Sequence, residues 1–107
     1  MERESNMMIS EQYRIIAKKW VDADSAANLL EETKSAFLNQ KMLAQGDMAV
    51  SKAEMIVKAS PEWKEYIEQM IEARKQANLY KVQLEYIRMQ FYEWQSHNAT
   101  RRAEMKL

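Results

Sequence analysis

The sequence predicts an all-α fold: a long antiparallel helical hairpin of coiled-coil type with a short connecting helix. Its 107 residues include one Gly and one Pro, so turns are scarce and helix formers such as Ala, Leu, Met, Glu, Lys and Gln dominate. Apolar residues recur at alternating steps of three and four along two long segments, which is heptad spacing. Because a chain this short buries a modest share of its surface alone, we also expect it to oligomerise.

The first helix is predicted over residues 10–44. Ser10 is the expected N-cap, and Gly46 supplies a left-handed C-cap just after the last turn. At 1.5 Å per residue, this helix is a rod of roughly 50 Å.

Two further helices follow. Ser51 and Glu54 match a capping box, which predicts a short helix over residues 51–59. Ser60 then precedes a Pro and a Glu, the N-cap, first residue and first-turn acid of a long helix over residues 61–100.

These elements form one predicted helical domain over residues 1–107. Residues 1–9 either fold over exposed apolar surface or remain loose, and the polar, basic segment 101–107 is left outside the helices as a loose tail.

An uninterrupted apolar seam runs along the last helix. Its members are Trp63, Tyr66, Met70, Ala73, Ala77, Tyr80, Leu84, Ile87, Phe91 and Trp94. The first helix repeats the spacing, with Lys34 as the single exception, at Tyr13, Ile16, Trp20, Ala23, Ala27, Leu30, Lys34 and Phe37. Matching the alanines places Ala23 against Ala77 and Phe37 against Trp63, but a slip of one heptad also keeps apolar residues facing each other, so the register stays open.

A second, weaker apolar stripe lies off the seam. Because a two-helix hairpin cannot cover it, either the short helix and Met7, Met8 and Ile9 fold over it or another copy of the chain does; we favour the second copy. The predicted protein interface consists of Leu79, Val82, Tyr86, Met89, Ile15 and Leu29.

The charges cancel, with 16 basic and 16 acidic residues, so no global field attracts nucleic acid or a membrane. Basic residues nevertheless gather towards one end of the predicted hairpin. There we predict a nucleic-acid surface in which cations hold phosphates and tyrosines stack on bases. Its members are Lys81, Arg88, Tyr86, Tyr92, Arg101 and Arg102. The alternative is an ordinary solvated helix face, since Glu85, Glu93 and Glu104 lie among these residues.

Catalytic chemistry has little support. The chain has no Cys, which excludes disulfides, thiolate zinc sites and cysteine nucleophiles. The single His97 lies near a helix end among polar residues, and no Gly-rich phosphate loop exists. We therefore expect no enzyme activity, cofactor or metal. Without an apolar run of roughly 20 residues or a signal-peptide core, we expect a soluble cytoplasmic protein that contacts no membrane.

Three segments resemble small helical proteins of tailed phages and prophages: DSAANLLEETKSAFLNQKM, GDMAVSKAEMIVKASPEWKEYI and EARKQANLYKVQLEYIRMQFYEWQSHNATRRAEM. The alternation of Lys81, Leu84, Glu85 and Tyr86, in a last helix that ends in a basic tail, is also similar to the recombination mediators of T4-type phages. Those proteins form oligomers and load a recombinase onto single-stranded DNA. The resemblance implies a self-associating accessory protein of phage recombination or replication in the host cytoplasm. Its partners would be single-stranded DNA and a recombinase or single-strand-binding protein.

Two other classes of function stay open. One is a pure protein-interaction module, such as a phage inhibitor of a host defence complex, that uses the second apolar stripe and binds no nucleic acid. The other is an enzyme or ligand-sequestering oligomer with a pocket between subunits, which a ligand-induced rise in melting temperature would reveal.

Overall fold

The computed structural model describes residues 8–106 and contains three helices, in agreement with the predicted all-α fold. They are α1 (Ile9–Leu43), α2 (Val50–Lys58) and α3 (Pro61–Lys106). The bounds lie within one residue of those predicted, except at the end of α3. There, residues 101–106 continue the helix instead of forming a loose tail, because Arg, Ala, Glu and Met are all good helix formers. The predictions for residues 1–7, including Met7, lie outside the described residues.

The two serine caps predicted for the first helices are wrong. Helix α1 begins at Ile9, so Ser10 lies inside its first turn. Helix α2 begins after Ala49, whose side chain caps nothing. Glu54 pairs with Lys58 at 2.7 Å, one turn further along. A serine near a start indicates that a helix begins close by, but not at which residue.

The turn signals between the helices are confirmed. Gly46 follows α1 with a φ of 87°, the left-handed conformation in which a side chain would be strained. Ser60 caps α3, since the Trp63 backbone N–H donates to its Oγ at 3.2 Å. Pro61 is the first residue of that helix, where its missing N–H costs no hydrogen bond.

The chain divides into two compact units, and each holds one segment of α1 and one of α3. We call Asp22–Ala77 the loop unit. Of the described residues, those from 8 to 21 and from 78 to 106 form the terminal unit.

In the loop unit, α1 and α3 are antiparallel. Arg74 contacts Asp24 at 2.7 Å, and Phe37 stacks on Trp63 with ring centroids 6.2 Å apart. Residue numbers therefore rise along α1 while they fall along α3. This confirms the helical hairpin within this unit, and of the registers that the sequence left open the structure has the one that places Phe37 against Trp63.

The buried side chains of the loop unit are small. Ala27 and Ala77 are fully buried, and Ala53 and Val57 of α2 are almost so. Such residues let backbones approach closely, but they bury little apolar area each.

Aromatic rings widen the interface near the connection. Tyr66 stacks on Phe37 at 4.4 Å between ring centroids, and its hydroxyl donates to the Leu30 carbonyl. The Lys34 ammonium lies 5.8 Å from the Trp63 ring centroid. A cation–π contact therefore accommodates the one charged residue of the seam.

Arg74 is the main electrostatic link in the loop unit. Its guanidinium donates two hydrogen bonds to the Glu31 carboxylate, at 2.6 and 3.1 Å, and one each to Asp24 and Asn28. The hydrogen bonds from Arg74 lower the pKa of Glu31. The planar fork of arginine suits this bidentate geometry, which lysine does not reproduce.

The terminal unit is a second antiparallel pair. Leu84 and Ile87 of α3 are buried there. Ile9 lines one groove with Trp94, and Lys19 lines another with Gln83, so the numbering again runs in opposite directions. Within residues 8–106, no helix combines the length and apolar composition that crossing a membrane requires.

Replacing Ala77 with Glu should lower the free energy of unfolding by about 3 kcal/mol, because a carboxylate would enter a fully buried, close-packed position. Ala26→Glu, the same substitution at an exposed alanine of α1, should leave it nearly unchanged. Urea unfolding followed by circular dichroism measures both. Equal stability of the two variants would contradict the alanine packing.

Acid should weaken the loop unit through Glu31, whose pKa is held below its ordinary value of 4.5 by Arg74. A carboxyl with a lowered folded pKa contributes stability that is complete above its unfolded pKa and lost as pH falls through the folded pKa. The urea concentration at the unfolding midpoint should therefore decrease as the pH is lowered below about 4.5. In Arg74→Gln this decrease should be smaller. Lys52→Gln, on exposed surface, is the control. An acid limb unchanged by Arg74→Gln would assign the pH dependence to other carboxylates.

Candidate binding surfaces

A row of apolar side chains lies exposed on α3. We call Leu79, Val82, Tyr86 and Met89 the outer stripe. Each is at least half exposed. At 100° per residue the row lies on nearly the opposite side of α3 from the buried Leu84 and Ile87. It is the part of the predicted interface that forms one continuous surface.

The two α1 residues predicted for the same interface differ in position. Ile15 is partly buried and lines a groove of about 380 Å³ in the terminal unit together with Tyr86. Leu29 belongs to the loop unit and is exposed. The structure thus brings Ile15 to one residue of the outer stripe.

A larger groove of about 670 Å³ lies at the end of the terminal unit, and we call it the terminal groove. Its lining is mostly apolar and aromatic: Met8, Ile9, Ser10, Tyr13, Ile87, Arg88, Phe91, Tyr92 and Trp94. The rings of Phe91 and Trp94 are stacked at a small angle, with centroids 6.1 Å apart.

Phe91 and Trp94 lie on the seam, where heptad spacing predicts core residues, but the structure does not bury them. They are 38% and 54% exposed. Helix α1 starts at Ile9, which lies in the same groove, so the seam of α3 extends past the start of its partner helix. From Gln95 to Met105 every side chain is exposed except the partly buried Asn98.

The residues predicted to bind nucleic acid are dispersed along α3. Arg88 and Tyr92 line the terminal groove, whereas Tyr86 lines the smaller groove beside Ile15. Lys81 is exposed elsewhere on α3. Arg101 and Arg102 are exposed in its last turns. Within residues 8–106, the ion pairs involve none of these cations.

Arg88 is hydrogen-bonded to Tyr13, for which the sequence predicts only a position on the apolar seam. Its guanidinium donates to the Tyr13 hydroxyl at 3.3 Å, and this hydrogen bond is the main cause of a raised pKa of Arg88. A tyrosine at a seam position has its ring in the interface and its hydroxyl near the rim. An arginine that flanks the seam on the opposite helix can reach this hydroxyl, and this arrangement of Tyr13 and Arg88 is the sequence signal from which the hydrogen bond could have been predicted.

His97 is in the lining of neither groove. Its side chain is exposed. Within residues 8–106, no group of three or more His, Asp or Glu side chains is arranged to hold a metal ion. What the terminal groove presents is aromatic faces beside a fixed guanidinium.

Two leucines on α3 allow the exposed stripe to be compared with the seam. Leu79 is 50% exposed and Leu84 only 8%. In dilute solution Leu84→Ala should cost about 2 kcal/mol of unfolding free energy, and Leu79→Ala less than about 0.5 kcal/mol. Chemical denaturation at several protein concentrations checks both values. A larger loss for Leu79→Ala at the lowest concentration would place Leu79 in the fold of the single chain.

Comparison of this chain with protein-family models, curated proteins and solved structures finds no match. The resemblance to phage proteins stays a prediction from the sequence.

Proposed function

We propose that this protein is a non-enzymatic helical accessory protein of phage-type recombination or replication, which self-associates and holds single-stranded DNA at the terminal groove. The observation that carries the proposal is the exposure of Phe91, Tyr92 and Trp94 beside Arg88. Aromatic faces beside a cation suit stacked bases with their phosphates, and they do so with little sequence preference.

The charge distribution along α3 supports the same surface. Residues 88–106 include four basic and two acidic side chains, so this end is basic although the chain is neutral. Arg101 follows Arg88 by 13 residues, or about 20 Å along a helix. Phosphate contacts at both positions would engage several nucleotides of one strand.

Catalysis forms no part of this proposal. His97 is exposed and is in the lining of neither groove described above. The work of the protein would be to bring partners together in the host cytoplasm: single-stranded DNA and a recombinase or single-strand-binding protein.

A second function is favoured by the outer stripe. Four large apolar or aromatic side chains, each at least half exposed, form the type of patch that serves protein recognition. The chain would then be a pure interaction module, for example an inhibitor of a host defence complex, with no affinity for nucleic acid.

Charge reversal tests the nucleic-acid site. Arg101→Glu with Arg102→Glu should weaken binding of a fluorescent single-stranded oligonucleotide at least about tenfold at low salt, because two phosphate contacts become repulsive. The matched control is Lys52→Glu with Lys64→Glu, two exposed lysines of the loop unit. Anisotropy titrations at low and physiological salt measure both, and equal affinities would contradict the proposed surface.

Removal of one aromatic face tests the stacking component separately. Trp94→Ala should weaken binding of the same oligonucleotide about tenfold, since one base stack contributes about 1–3 kcal/mol. The loss should persist at higher salt because stacking releases no counterions. Wild-type protein that binds no oligonucleotide, yet has a mass above that of one chain by light scattering, would favour the interaction module.

A further inference from the structure

The outer stripe belongs to a longer pattern on α3. From Lys75 to Glu93, six positions follow one another at steps of four, three, four, three and four: Lys75, Leu79, Val82, Tyr86, Met89 and Glu93. This is a second heptad seam on the same helix. Its four inner positions are apolar or aromatic, and its two ends carry opposite charges.

The order of the steps is the same in both directions, so the row can pair with an inverted copy of itself. In that pairing Leu79 faces Met89 of the second copy and Val82 faces its Tyr86. Lys75 then faces Glu93 of the second copy, and by symmetry Glu93 faces its Lys75. A parallel pairing in register would instead place Lys75 on Lys75 and Glu93 on Glu93.

The groups required for this pairing are accessible. The four inner side chains are at least half exposed, and Lys75 and Glu93 are exposed as well. Within residues 8–106, ion pairs are formed by other residues and leave both of these charges without an ionic partner.

We propose that two copies of the protein pair through α3, antiparallel about a two-fold axis at the level of Leu84. This inference rests on the self-association in the proposed function and specifies its surface, orientation and register. The same patch on both copies makes the interface isologous, which closes the assembly at two chains instead of extending it.

Disulfide trapping tests the register. Because the chain has no Cys, Leu79→Cys and Met89→Cys each introduce a single thiol at an exposed position. An equimolar mixture of the two variants, carrying tags of different mass, should give a mixed disulfide on mild oxidation, because facing positions lie within disulfide reach. Either variant alone should cross-link at least about tenfold less. Preferential cross-linking of each variant with itself would overturn the antiparallel orientation.

A charge exchange tests the flanking pairs without cysteine. Lys75→Glu should weaken the dimer about tenfold, because two symmetric attractions become repulsions. Glu93→Lys should weaken it similarly, whereas the double exchange should restore wild-type affinity. The control is Lys52→Glu, an equal change in charge on the exposed surface of α2. Failure of the double exchange to restore dimerisation would overturn the register.

The mass measured by light scattering distinguishes the proposed antiparallel register from self-association in general. A wild-type mass of two chains without the mixed disulfide would remove this register and leave self-association standing. A wild-type mass of one chain at all accessible concentrations would remove both.

Discussion

Helix α3 has more apolar surface than one partner helix can cover, and the rest of the structure depends on how that surface is divided. One seam packs against α1 and contains the buried Ala77, Leu84 and Ile87. The other, on nearly the opposite side, holds the outer stripe. A pair of helices buries one face of each member, so the second seam remains exposed however well the first is packed. Its exposure is a property of the architecture rather than a local defect.

The alignment of the two helices along the buried seam is specified by polar contacts more than by the apolar area that is buried. Its fully buried members in the loop unit are alanines, which contribute little hydrophobic free energy. Alignment there is fixed by directional contacts: Arg74 with Glu31, and the Tyr66 hydroxyl with the Leu30 carbonyl. A small core with precise polar contacts gives a defined pairing, while much of the apolar surface of the chain stays outside the core.

The sequence was sufficient for the helices and for their antiparallel pairing, whereas the contact between Phe37 and Trp63 belongs to one of the registers that it left open. Gly and Pro are so rare that the one of each present marks a real boundary, as Gly46 and Pro61 do. The sequence was insufficient where the burial of a side chain on α3 depends on the residue at which α1 begins. Heptad spacing identifies the face on which Trp94 lies, but not that α1 begins at Ile9 and leaves this ring half exposed. The two candidate surfaces differ in the same way. The spacing alone predicts that the outer stripe is exposed, whereas the terminal groove also contains a hydrogen bond from Arg88 to Tyr13 that the spacing does not give.

Lys34 has a consequence for the fidelity of folding. Its ammonium is accommodated in the seam because Trp63 presents a ring 5.8 Å away. A slip of one heptad further along α3 would place the turn around Ala73 opposite Lys34, and the charge would lose its aromatic neighbour. A polar residue in an apolar seam lowers stability but distinguishes one alignment from the others. Lys34 therefore discriminates between registers that apolar packing alone would leave nearly equal in energy.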